Sequence, residues 1–188
     1  MTSRDKPRRA PTPLNSSSVQ NLALRYVGKY ATTRAKLAAY LARKLRERGW
    51  DGQREPDVQA LTDRLAELGY VDDAAFALSR SRALGNRGYG RRRLLEQLRH
   101  AGVGDNDSRE ALEAAEANAV VSALRFAERR RIGPFASAAP DPRQREKWIG
   151  AMVRAGHPFG LARAIAEVRP GAEIDMEALG ARASGAIA

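Results

Sequence analysis

The stretch Leu37-Ala38-Ala39-Tyr40-Leu41-Ala42-Arg43-Lys44-Leu45-Arg46-Glu47-Arg48-Gly49-Trp50 decides the fold. Its leucines at 37, 41 and 45 recur every four residues, the spacing that gathers side chains on one face of an α-helix. Gly49 follows them, where a helix commonly ends in a left-handed residue that penalises any side chain with a Cβ. The same plan returns twice. Leu94, Leu95 and Leu98 lead to Gly102-Val103, and Trp148, Ile149, Met152 and Val153 lead to Gly156-His157, so the terminating glycines stand 53 and 54 residues apart.

Each of these helices has a helical stretch before it and another after it. First-position helices are expected over about 19–30, 73–84 and 118–131, and share the strings Leu24-Arg25-Tyr26 and Leu124-Arg125-Phe126. Third-position helices are expected to begin near Pro56, Ser108 and Phe159. In the first of these, Val58, Leu61, Leu65 and Leu68 form one apolar stripe before Gly69, and Pro56 suits the first helical turn, where its missing N–H is not needed. The reading is an all-α chain of three tandem three-helix repeats, residues 19–72, 73–117 and 118–170. A disordered basic tail is expected over 1–18 and a frayed C-terminal tail over 171–188, with at most a short helix around Met176. One such unit buries little by itself, so neighbours are expected to share a core in an elongated, curved array. The period exceeds the roughly 34 residues of a tetratricopeptide unit.

Composition agrees with helix, since Ala, Leu, Arg and Glu recur and β-branched residues are scarce. The chain has no Cys, which excludes disulfides, thiolate metal sites and a Cys nucleophile. No apolar run suits a membrane span, and the N-terminal residues lack the apolar core of a signal peptide, so a cytoplasmic location is expected. The net charge of +11 favours an anionic partner.

How that charge is divided matters more than its total. Residues 25–48 carry eight basic side chains and one acidic, 86–100 carry five and one, and 125–147 carry seven and three. By contrast, 55–73 has one basic residue against six acidic, and 105–117 one against five. First and second helices are thus basic, and two of the three third helices are acidic. Random surface charge would not segregate in this way, which points to a basic face for nucleic acid or an acidic partner. The candidate contacts are Arg25, Lys29, Arg34 and Lys36 in the first repeat. The second supplies Arg80, Arg82, Arg87, Tyr89, Arg91, Arg92 and Arg93, and the third Arg129, Arg130 and Arg131. The last three also suit the negative end of a helix dipole, a purely structural role.

Other motifs carry no chemistry. Arg87-Gly88-Tyr89-Gly90-Arg91 follows a helix rather than a strand and matches neither phosphate-loop pattern. Asp72-Asp73 reads as a helix cap, His100 and His157 have no neighbouring ligand, and Trp50 and Trp148 read as packing anchors. No catalytic constellation, metal site or cofactor site is expected.

Taken in order, Leu24-Arg25-Tyr26, the Leu37 to Gly49 helix, Leu65-Ala66-Glu67-Leu68-Gly69-Tyr70-Val71-Asp72-Asp73 with Phe76-Ala77, and Arg87-Gly88-Tyr89-Gly90 through Gly102-Val103 resemble the RecX family over about residues 20–170. No single motif carries the resemblance; their order and spacing do. It implies a non-enzymatic, monomeric inhibitor that binds the RecA recombinase or its nucleoprotein filament, with single- or double-stranded DNA as a further partner. Strand exchange and RecA-stimulated proteolysis would be inhibited, and recombination, DNA repair and the SOS response modulated. Two features depart from the pattern: an insertion over 136–142 followed by Gly150 within the next helix, and a join at 116–118 without a glycine break, which leaves a continuous or a bent helix open. A general helical DNA-binding or transcriptional regulator with one recognition helix, and a scaffold for an acidic protein, are the competing classes.

Overall fold

The computed structural model describes residues 12–183. They form ten α-helices and a short 3-10 turn, with no β-sheet among them, arranged as two compact units that divide between Asp72 and Asp73. The helices follow one another in threes, a tandem three-helix architecture with one added helix at the C-terminal end.

The first unit holds α1 (Ser16–Lys29), α2 (Arg34–Arg48) and α3 (Val58–Glu67). Asn15 starts α1: its side chain accepts the Ser18 N–H at 2.9 Å while the Ser18 hydroxyl accepts the Asn15 N–H at 2.8 Å, a reciprocal cap. Just before it, Leu14 is fully buried, donates its N–H to the Gly49 carbonyl at 2.9 Å and accepts the Asp51 N–H at 2.7 Å. The tail expected over 1–18 is therefore corrected at its inner end, with 12–18 built into the unit; residues 1–11 lie outside the described residues. Leu14 joins Val19, Ala23, Leu37, Leu41, Leu65 and Val71 in the first core. Asp57 caps α3 by accepting the Ala60 N–H, so Pro56 precedes the cap instead of entering the first turn. Leu68, the fourth member of the expected stripe and the C-cap of α3, is 53% exposed and lies outside the core.

The second unit begins with α4 (Asp73–Asn86), α5 (Arg91–His100) and α6 (Asp105–Ala117), closed around Ala77, Leu84, Leu94, Leu98, Ala101, Val103 and Ala111. It continues with α7 (Ala119–Arg130), the 3-10 turn Gly133–Phe135, α8 (Pro142–Arg154), α9 (Phe159–Glu167) and α10 (Met176–Ala183), gathered on another cluster that includes Ile132, Met152, Leu161 and Ile165. The first and second clusters each draw their buried residues from one stretch of three helices and the third from four, α7 to α10; within the second unit the two repeats keep separate clusters instead of the shared core that was expected. Trp50 and Trp148 pack against the first and third cores, as their positions suggested.

The expected C-terminal tail is corrected too: Leu179 of α10 is buried in the third core and Ile174 packs against it. The rest of that tail, 184–188, lies outside the described residues. The α6 helix starts at Asp105, one turn before Ser108. Only Asn118 separates α6 from α7, with φ −99° and its side-chain amide donating to the Ala114 carbonyl at 2.8 Å. A polar residue able to cap itself provides the break that no glycine marks. The insertion over 136–142 runs into α8, which Asp141 caps by accepting the Gln144 N–H at 2.7 Å.

The glycines that decided the reading close their helices. Gly102 and Gly156 have φ of 71° and 97°, and beyond them Val103 donates to the Leu98 carbonyl at 3.0 Å and His157 to that of Met152 at 3.2 Å, the same cap in both repeats. Gly49 differs, with φ 78° and ψ 173°, a region essentially restricted to glycine.

Candidate binding surface

In the first unit, Arg25 and Lys29 are exposed four residues apart on α1, and Tyr26 and Tyr30 follow one residue behind each of them. The last turn of α1 and its extended C-cap residue Tyr30 thus place two rings beside two cations. Tyr40 of α2 completes the group: its ring stacks on Tyr26 at 4.2 Å and 20°, while Tyr30 lies 5.2 Å from Tyr26 at 52°. Lys29 Nζ is 5.4 Å from the Tyr30 centroid, and the Arg43 guanidinium 5.7 Å from that of Tyr40. Arg25, Tyr26, Lys29, Tyr30, Tyr40 and Arg43 line one open groove, to which no carboxylate contributes. Glu47 pairs with Arg43 at 3.6 Å and Lys44 at 2.6 Å; chiefly the Lys44 hydrogen bond holds its carboxyl below the ordinary value. Arg34 and Lys36, by contrast, sit half-buried in the first turn of α2, where Thr33 accepts the Lys36 N–H at 3.2 Å. Sequence reading found Arg25 and Lys29 but missed the three tyrosines and Arg43. The repeated four-residue step of Tyr26 and Tyr30 beside Arg25 and Lys29 was the available signal.

In the second unit, the Arg87-Gly88-Tyr89-Gly90 turn is a clasp. Arg129 donates to the Arg87 carbonyl at 2.9 Å and Arg125 to the Asn86 side chain at 3.0 Å. The Gly90 N–H donates to the Ala155 carbonyl at 2.9 Å, and the Arg92 N–H to that of Gly156 at 3.3 Å. Buried His157 completes the clasp, its Nε2 lying 2.9 Å from the Gly88 carbonyl. Since a carbonyl only accepts, Nε2 carries the proton there. Burial lowers the imidazole pKa, and the Gly88 bond opposes this. The glycines allow backbone to meet backbone: a Cβ on Gly156 would fall 2.5 Å from the Arg93 nitrogen, and one on Gly88 2.7 Å from that of Phe126. Tyr89 is half-buried against the second core.

The remaining candidates divide by partner. Arg91 pairs with Glu116 at 3.2 Å, and Arg92 and Arg93 meet Glu96 at 3.7 and 3.2 Å. The first pair joins basic α5 to acidic α6. Arg80 and Arg130 rest over Phe76 and Phe126 at 5.9 and 5.8 Å. Arg82 is exposed beside a cleft that Tyr89 and Arg125 also line. Arg131, at the end of α7, holds the left-handed conformation (φ 55°) that disfavours a side chain. Among the described residues, no group of three or more acidic or histidine side chains is placed to hold a metal, and no helix is long and apolar enough to cross a membrane.

Comparison with known proteins begins with a curated regulatory protein RecX from Halorhodospira halophila, 32% identical over 152 residues, covering 80% of this chain and 88% of that protein. The chain belongs to the RecX family. The regulatory protein RecX of Myxococcus xanthus is 28% identical over 169 residues, 85% of this chain and 90% of that one. Residues 72–112 match the second three-helix domain of RecX. The crystal structure of RecX from Lactobacillus salivarius aligns with a TM-score of 0.58 at 21% identity, over 79% of this chain and 92% of that one, a likeness of fold. The matched RecX domain contains the clasp turn and its flanking arginines, from Arg80 to Arg93. The tyrosine groove lies before it.

Proposed function

We propose that this RecX-family regulatory protein is a non-enzymatic inhibitor of RecA. It binds RecA or the RecA–DNA filament through the basic surfaces of its repeats, 19–72, 73–117 and 118–170, and acts in the cytoplasm on recombination, DNA repair and the SOS response. Family membership carries this reading. The physical support is that Arg25, Lys29, Arg82 and Arg87 present exposed cationic groups without an ion pair among the described residues, available to phosphates or carboxylates. Arg91, Arg92 and Arg93 are exposed as well, and their pairs with Glu116 and Glu96 are surface pairs that an anionic partner displaces at small cost.

The direct test is RecA-dependent strand exchange and ATP hydrolysis with added protein. Inhibition at substoichiometric ratios is expected. Folded protein without effect at any ratio would remove the assignment.

A further inference from the structure

In the first unit aromatic rings stand beside the candidate cations. We propose that the groove between α1 and α2 is a stacking site for the unpaired bases of single-stranded DNA. Tyr30 carries the argument: it is 49% exposed at the end of α1, whereas Tyr26 and Tyr40 are half-buried and also support the first core. The stacked pair of Tyr26 and Tyr40 backs the groove, and Tyr30 stands tilted against it. Arg25, Lys29 and Arg43 supply positive charge on the same groove, whose lining holds no acid.

Each alternative occupant leaves part of this arrangement unused. An acidic peptide engages the cations but offers few planar groups to the rings. Duplex DNA presents phosphates, while its base faces are already covered by their neighbours in the stack. A single strand supplies both halves, since its backbone phosphates suit Arg25 and Lys29 and its free bases suit an exposed aromatic face, independently of sequence. The site adds to the filament reading and needs no RecA.

The test is equilibrium binding of the full chain to a fluorescent oligothymidine and to a duplex of equal length, without RecA, across a salt series. Tyr30→Ala is expected to weaken single-strand binding by roughly tenfold, within the range for loss of one base–aromatic stack. It should leave the salt slope and duplex binding as they were, because no charge is removed. Tyr30→Trp, which keeps a ring, is expected to retain the affinity, and it guards against a folding defect being read as a lost contact. Unchanged single-strand binding by Tyr30→Ala overturns the proposal. So does equal loss on the single strand, the duplex and anionic lipid vesicles, which would make the groove a general anion surface. Co-sedimentation of the unaltered chain with RecA filaments, run alongside, tests the filament reading separately.

Discussion

The groove between α1 and α2 and the turn between α4 and α5 are built from the same alphabet, tyrosine, arginine and small residues, yet they spend it differently. In the groove, Arg25 and Lys29 have no carboxylate partner among the described residues, and three rings surround open space. At the turn, the guanidiniums of Arg125 and Arg129 are committed to Asn86 and Arg87 at the C-terminal end of α4, His157 is committed to Gly88, and Tyr89 leans on the core. Both stretches are basic and aromatic by composition. Their roles are separated by where each donor finds an acceptor, because a cation bonded within its own chain stabilises the fold before it can serve a partner.

The sharpest way to break this contrast is to force the clasp apart. Gly156→Ala sets a Cβ against the Arg93 backbone at a φ of 97°, and a loss of about 3 kcal/mol in unfolding free energy is expected by urea titration, from left-handed strain plus overpacking. Removing the hydrogen bond without adding bulk has a smaller effect. His157→Ala leaves the Gly88 carbonyl without its partner and is expected to cost about 1–3 kcal/mol.

His157 also gives the clasp a pH dependence. Its folded pKa lies below the unfolded value, so the unfolded chain binds more protons as pH falls through about 6.5, and stability drops on acidification. The contribution is fully present above that value and is lost as pH falls toward the folded pKa. His157→Gln, which keeps a donor for the Gly88 carbonyl, should flatten this part of the pH profile in thermal melts between pH 7 and 5.

The finest comparison sets two exposed arginines side by side. Arg129→Ala is expected to cost about 1 kcal/mol of stability through the bond it gives up to the Arg87 carbonyl. Arg25→Ala should change stability by less than about 0.5 kcal/mol, since its guanidinium has no partner among the described residues to lose. Equal effects on chemical unfolding would erase the distinction between clasp and groove.

The helical repeat was legible because periodic leucines and terminating glycines act locally, and Gly102 and Gly156 close their helices with the same pair of bonds. Leu14 was not, because one apolar residue among prolines and serines gains its meaning from Gly49 and Asp51, more than thirty positions away. The turn at Asn118 was hidden for a related reason: its break depends on a side chain bonding back to Ala114. Of the candidate surface, sequence supplied the cations but not their partners. Nothing local announced that Arg91 would meet Glu116, or that Gly88 would receive His157, since both contacts depend on how the helices pack.

The central claim, a cationic surface that engages the RecA filament, is tested most directly by co-sedimentation with RecA–DNA filaments across a salt series, using the unaltered chain and the Arg25→Glu, Lys29→Glu double variant. The unaltered chain should sediment with filaments at low salt and be released as salt rises. The variant should bind more weakly, with a shallower dependence of log affinity on log salt. Folded protein that stays in the supernatant at every salt concentration, or binds equally with both charges reversed, would contradict the account.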